Sequence, residues 1–362
     1  MTPGQSLSDG AAGIALLHLE TSDWPAARQA LSLAAVDGVS IADGASLYFG
    51  APALAFVLAT STHPGTDGAR ATTATGATMV ARRQLEAAHR RIDRQTLPHY
   101  REYDLINGLT GVGVVLRRLG DHDLLRQVLE YLVRLTEPVN GLPGWWCSNG
   151  PSRDLPPPPG GHANHGIAHG ITGPLALLAL TLRDGITVTG QHEAIARICL
   201  WLDAWQQTTD GAAWWPETIT IDNLANRTCS QHRPGRPSWC YGTPGIARTM
   251  QIAAIATGQP ERQATAELAL AASLDDEHLN LLTDAGICHG VAGTYQTAFR
   301  AATDSTTTAI ADRLPVLAAR LAAASTSDAG FLTGDAGASL TALTALTNTP
   351  PQTGWDTCLL IA

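Results

Sequence analysis

Lysine is absent from the 362 residues, so all 23 formally cationic side chains are arginine. Together with abundant alanine, glycine and threonine, this fits a GC-rich coding sequence rather than a function. Charge is scarce, at 15% of residues, and the net charge is −9. A balance of that sign excludes a nucleic-acid surface, which depends on clustered arginine and lysine. The six cysteines are too dilute for a disulfide-stapled secreted scaffold. No stretch reaches the roughly 18 uncharged apolar residues of a membrane span. No charged leader followed by an apolar run opens the chain, so the expected location is the cytoplasm, with thiols reduced. Strand-like alternation is nearly missing, and Thr218 to Ile221 is the best short candidate.

What the chain does have is repetition. Gly-x-x-Gly followed by small and aliphatic residues begins at glycines 10, 50, 108, 170, 242, 290 and 334, with Ala53 replacing the second glycine of the second copy. Each copy reads as a tight turn opening a closely packed helix. Amphipathic segments lie between copies. From Asp121 to Thr136, Leu124, Leu125, Val128, Leu129, Leu132 and Val133 form one helical stripe that Pro138 ends. Alternating helices of these two kinds give an all-α fold, a closed α/α toroid of about seven helical hairpins. Its glycine turns gather at one end around a central cavity, and one domain spans 1–362. A linear helical solenoid is the plainer alternative, but its repeats are usually more regular in length. Two segments read as loops. The Thr-, Gly- and Ala-rich stretch from Thr60 to Thr78 is expected to be mobile. The stretch from Gly141 to Gly161, with Pro156 to Pro159, is expected to be extended, as a stiff connector or a contact surface for a peptide.

The turns are unevenly loaded. The third carries Tyr103 and Asp104, and the fourth Asn164, His165 and His169. The fifth carries Arg236, Trp239, Cys240 and Tyr241, and the sixth Cys288 and His289, whereas the first, second and seventh carry nothing comparable. Two soft thiolates and an imidazole suit zinc, and three protein ligands leave one coordination position open, as in catalytic sites. Taken singly, either cysteine reads as a small buried hydrophobe. Asp275-Asp276-Glu277 reads as a helix start rather than a metal box.

Trp239-Cys240-Tyr241-Gly242-Thr243-Pro244-Gly245, Cys288-His289-Gly290 and Ala168-His169-Gly170-Ile171-Thr172-Gly173 together resemble the signatures of the lanthionine synthetase C-like family. The repeat extends the resemblance over nearly the whole chain, to Gly354-Trp355-Asp356-Thr357-Cys358-Leu359-Leu360. The resemblance implies a zinc-containing toroid, with one Zn2+ per chain on Cys240, Cys288 and His289. It also implies acid–base roles for His169 and Asp104, a site lined by Arg236 and Tyr241, and addition of a peptide cysteine to dehydroalanine or dehydrobutyrine. The implied partners are a dehydrated precursor peptide and a separate dehydratase. His162, His165 and the other four cysteines are expected to lie outside the site.

Elementary chemistry agrees with that implication. A free thiol, with a pKa near 8.5, is a poor nucleophile at neutral pH unless a metal takes its thiolate. Addition at the β-carbon places negative charge on a carbonyl oxygen, where Arg236 is suited to meet it. His169 is suited to protonate the α-carbon, and Asp104 to orient that imidazole. Two features depart from the larger family members. The interval between the third and fourth turns leaves no room for a small β-rich insertion, and an outer helix before the first turn is missing. Three other readings use the same residues: zinc-dependent addition of a small thiol such as glutathione, a prenyltransferase-like toroid (whose Asp-Cys-His ligand set fits poorly), and a non-catalytic peptide-binding subunit.

Overall fold

The computed structural model describes residues 3–151 and 156–362. Among them are thirteen helices of nine or more residues. In chain order these are α1 (Ala11–Glu20), α2 (Trp24–Ala34), α3 (Ala51–Ala59), α4 (Asp67–Asp93), α5 (Leu109–Leu119), α6 (His122–Leu135) and α7 (Thr172–Arg183). Then follow α8 (Gln191–Trp205), α9 (Thr243–Thr257), α10 (Pro260–Ala272), α11 (Val291–Asp304), α12 (Leu314–Ala323) and α13 (Asp335–Thr347). Every odd-numbered helix follows a glycine turn and packs on the odd-numbered helices before and after it, with α13 returning to α1. The ring is closed, an α/α toroid. Each even-numbered helix packs against the inner helix that precedes it. Among the described residues the seventh inner helix has no such partner, so there are seven inner and six outer helices. The junction of α13 and α1 is thus the one without an outer helix among the described residues.

One steric fact accounts for the second glycine of the repeat. In six turns a methyl group there would fall inside the van der Waals envelope of the carbonyl oxygen six residues earlier, as at Gly293 against Ile287. The second turn has Ala53 in that place, and its first glycine, Gly50, takes φ +74°, whereas the first glycines that cap α1, α5, α9, α11 and α13 have negative φ. A different turn therefore accommodates the alanine.

The α6 stripe is buried except at Val133, which is half-buried, and Asp121 caps its start by accepting from the Leu124 amide. Asp275 likewise caps the short helix Asp276–Leu279. Thr218–Thr220 is a strand, paired antiparallel with His162–Asn164. Thr60 to Thr78 is not a loop: most of it is the start of the 27-residue α4. The hydroxyls of Thr72, Thr73 and Thr75 bond back to carbonyls four residues earlier, and Thr73, Gly76, Ala77, Val80 and Ala81 are buried against the ring. Packing overrides the weak helix propensity of threonine and glycine. In the Gly141 to Gly161 stretch, residues 152–155 lie outside the described residues, and Pro156 to Pro158 have no regular structure.

A buried C-terminal segment ties the ring together. Trp355, Asp356, Cys358, Leu359, Leu360 and Ile361 have no exposed surface. The Asp356 carboxylate accepts from Arg300 at 2.6 and 2.8 Å and from Gln296 at 2.7 Å. The Tyr48 hydroxyl donates to the Cys358 carbonyl at 3.1 Å, and the Trp239 indole to that of Leu359 at 3.0 Å. Arg248 donates to the carbonyl of Ile361, also at 3.0 Å.

Candidate active site

Backbone hydrogen bonds join neighbouring turns around most of the ring. Leu105 N–H donates to the Ala168 carbonyl, Ala168 to Cys240, Cys240 to Cys288, Cys288 to Leu332 and Leu332 to Ser8, over 2.8–3.4 Å. Ala168, Cys240, Cys288, Leu332 and Ser8 each stand two residues before the first glycine of a turn. A common register thus stacks like positions of successive turns. It brings together residues 48 positions apart in sequence: the ligand atoms of Cys240, Cys288 and His289 lie within 4.8 Å of one another.

Within this cluster, the Cys288 S–H bonds to Cys240 and holds the Cys240 thiol well below the ordinary thiol range, with His289 adding to the effect. The same bond pushes the Cys288 thiol up, and contact with Cys240 raises His289. Two cysteine sulfurs and an imidazole make a soft donor set suited to zinc. Among the described residues it is the one His, Cys, Asp and Glu group with metal-ligand spacing. Asp284 stands behind it. One of its oxygens accepts from the Gly286 amide at 2.7 Å, and the other lies 3.7 Å from His289 Nε2.

The residue one before the glycine completes the site in three turns. In the fourth it is His169, whose Nδ1–H donates to Asp104 Oδ2 at 2.6 Å. The Asp104 carboxylate is fully buried, and Asn107 holds it with its backbone amide at 2.6 Å and its side-chain amide at 2.9 Å. That leaves Nε2 of the partly exposed imidazole as the nitrogen free to exchange a proton. The Tyr100 ring lies edge-on to His169 at 5.2 Å, and the Tyr241 ring is 6.3 Å away. In the fifth turn the position is Tyr241, whose hydroxyl accepts from Asn164 at 3.2 Å and donates to the Pro151 carbonyl at 3.3 Å. Burial pushes its phenol pKa up, so it stays protonated at neutral pH. In the third turn the position is Asn107 itself.

Arg236 is exposed at the head of the fifth turn, and its charge acts on both Cys288 and His289. Among the described residues its guanidinium makes no ion pair. Glu217 is the acid near it. Partial desolvation raises its carboxyl, and the neighbouring Cys240 raises it further while Arg236 lowers it.

The structure thus gathers Cys240, Cys288 and His289 in one group, and His169, Asp104 and Tyr241 beside it. Other residues of the loaded turns point elsewhere. The Tyr103 hydroxyl is buried against the Trp145 carbonyl and Cys147. Both ring nitrogens of His165 are spent in the core, on the Pro216 carbonyl and the Trp201 indole, each at 2.8 Å. His162 is buried in its strand. Sequence reasoning missed Asn107, Asp284, Glu217 and Tyr100, and it named Asn164 on the fourth turn without giving it a role. Aligning the seven turns on their first glycine exposes three of them. Asn107 shares the place of His169, Tyr241 and His289, while Asn164 and Asp284 both stand six residues before the glycine.

The family model described as lanthionine synthetase C-like protein matches residues 3–360. Among solved structures, nisin cyclase is similar in fold, with a TM-score of 0.84 at 20% identity, covering 100% of this chain and 93% of that one. No curated protein sequence matches the chain. No described helix is long and apolar enough to cross a membrane.

Proposed function

The chain belongs to the lanthionine synthetase C-like family, and we propose that it is a lanthipeptide cyclase, joining peptide cysteines to dehydroalanine or dehydrobutyrine in thioether rings. The observation that carries this reading is the Cys240–Cys288–His289 group set beside an imidazole held by a buried carboxylate, on adjacent turns of one ring. The three side chains would hold one Zn2+ and leave a coordination position for the substrate. A zinc ion there supplies one thing, a lowered pKa for the thiol of the incoming cysteine.

The protein's own residues do the rest. The thiol gives its proton to His169 Nε2, its sulfur bonds to the β-carbon, and the π pair moves onto the carbonyl oxygen as an enolate. Arg236, free of a competing ion pair among the described residues, is suited to meet that negative charge. His169 Nε2 gives a proton to the α-carbon while Asp104, fixed by Asn107, fixes the ring. The Tyr241 phenol, clamped by Asn164, shapes the wall next to the imidazole. The reaction is an addition without leaving group, so the product has the mass of the substrate.

We place this activity in a single domain, acting in the cytoplasm on a precursor dehydrated by another protein. Dehydrated precursor incubated with the protein should lose alkylatable thiol with no change in mass, and chelation should stop the loss. Ring formation that continues after verified zinc removal would overturn the reading. A mass gain from added glutathione, with the peptide thiol intact, would establish small-thiol addition instead.

A further inference from the structure

Three turns share a device six residues before their first glycine. Asn164 in the fourth, Asp284 in the sixth and Asp328 in the seventh each accept, through Oδ1, from the amide two residues on, at 2.9, 2.7 and 2.8 Å. That bond spends one terminal atom and shapes the turn. The second terminal atom reaches a residue that stands one before a glycine. Asn164 Nδ2 donates to Tyr241 at 3.2 Å, and Asp328 Oδ2 accepts from Thr333 Oγ1 at 2.7 Å. Asp284 Oδ2 faces His289 Nε2 at 3.7 Å. The same atom that holds a plain threonine in the seventh turn faces the imidazole of the metal-ligand group in the sixth.

We propose that Asp284 is the positioning residue for His289, a carboxylate that takes Nε2–H, fixes the tautomer and leaves the other ring nitrogen to the metal. The proposal rests on the zinc-holding role assigned above to Cys240, Cys288 and His289. At 3.7 Å the pair is within ion-pair reach and short of a hydrogen bond, and a small ring movement closes it. Carboxylates so placed raise the basicity of the ligating nitrogen and set the ring plane. First glycines keep the place open: a Cβ at Gly290 would collide with Asp284 Oδ1, as one at Gly334 would with Asp328 Oδ1.

Asn164 supplies the control that isolates the effect, because it shows that an asparagine makes the same turn. Asp284→Asn therefore keeps the cap and removes the negative charge. The experiment measures zinc affinity by competition with a chromophoric chelator, alongside thermal unfolding of the metal-free protein, for the native protein, Asp284→Asn and Asp328→Asn. We expect Asp284→Asn to bind zinc about 10- to 100-fold more weakly with its metal-free melting temperature nearly unchanged. Asp328→Asn should stay within about twofold of native in affinity. The Co2+-loaded Asp284→Asn protein should also show a shifted d–d band, a change that a purely structural turn residue would not produce. Native affinity in Asp284→Asn, or equal losses in both variants, overturns the proposal and leaves the zinc reading standing. A native protein that takes up no zinc overturns both.

Discussion

In the sixth turn the two residues before the glycine are Cys288 and His289; in the seventh, at the same two places, stand Leu332 and Thr333. The backbones match. Each turn has an aspartate that accepts from the amide two residues on, a glycine at its close and an inner helix behind it, and Cys288 N–H donates to the Leu332 carbonyl between them. One turn holds two of the three donor atoms proposed to bind zinc, and the other holds a buried aliphatic and a threonine bonded to its own turn. Ring closure is therefore a property of the glycines and the small residues behind them. Chemistry is a property of two places per turn that the ring itself leaves unconstrained.

The sharpest break of that comparison is Cys288→Ala against Leu332→Ala. The first should abolish stoichiometric zinc binding and ring closure while the fold persists, measured by metal analysis and thiol alkylation. The second should keep zinc and cost about 2–5 kcal/mol of stability through the cavity it leaves, measured by denaturant unfolding. If Leu332→Ala lost zinc as completely, the two turns would not be separable. Next in size, His169→Ala should slow cyclisation by about 10²–10⁴-fold and Arg236→Ala by about 10²–10³-fold, with zinc content unchanged in both. Loss of metal in either variant would move that residue from the chemistry into the construction of the site.

The fourth turn allows the comparison within itself, between His169 in the site and His165 in the core. Burial pulls His165 down to about 4, against an ordinary value near 6.5. Between those two values the unfolded chain binds the proton and the folded one does not. Stability is thus full above pH 6.5 and falls as pH drops toward 4, by at most about 3 kcal/mol from this residue. His165→Gln should flatten that slope in urea titrations and leave the pH profile of cyclisation in place. The smallest effect belongs to Thr333→Ala, which should change neither zinc content nor rate measurably. Any loss of rate there would show that the seventh turn contributes to the site.

Reading the sequence located the turns and the Cys240, Cys288 and His289 group that the structure gathers, because both carry residue types with few other uses at those places. Glycine pairs before aliphatic runs mark close packing, and Cys-His before a glycine marks metal chemistry. The α4 helix was hidden because its start is rich in threonine and glycine, and what stabilises it is tertiary burial against α3, which helix propensity does not register. The roles of Asn164 and Asp284 were hidden for a different reason. An Asx residue before a turn is already explained by capping, so its second atom draws no attention until coordinates show what it faces. Asn107 was readable in principle, since it occupies the place of His169 and His289, but only after the turns are stacked in register.

The buried segment around Trp355 to Ile361 sets the order in which the molecule can be made. Tyr48 and Cys358 are 310 positions apart, and the seventh inner helix meets the first across a similar span. Local hairpins can form as the chain emerges, but these contacts must wait until residues 310 positions further on have been made, at a loop-closure entropy that local contacts do not meet. Such long-range topology belongs to slow folders. The turns that hold Cys240 and Cys288 neighbour each other early, whereas Trp239, beside Cys240, receives its partner at Leu359 only at the end. The backing of the proposed metal-holding group thus leans on the C-terminal segment, since the indole next to Cys240 has its partner 120 positions further along the chain.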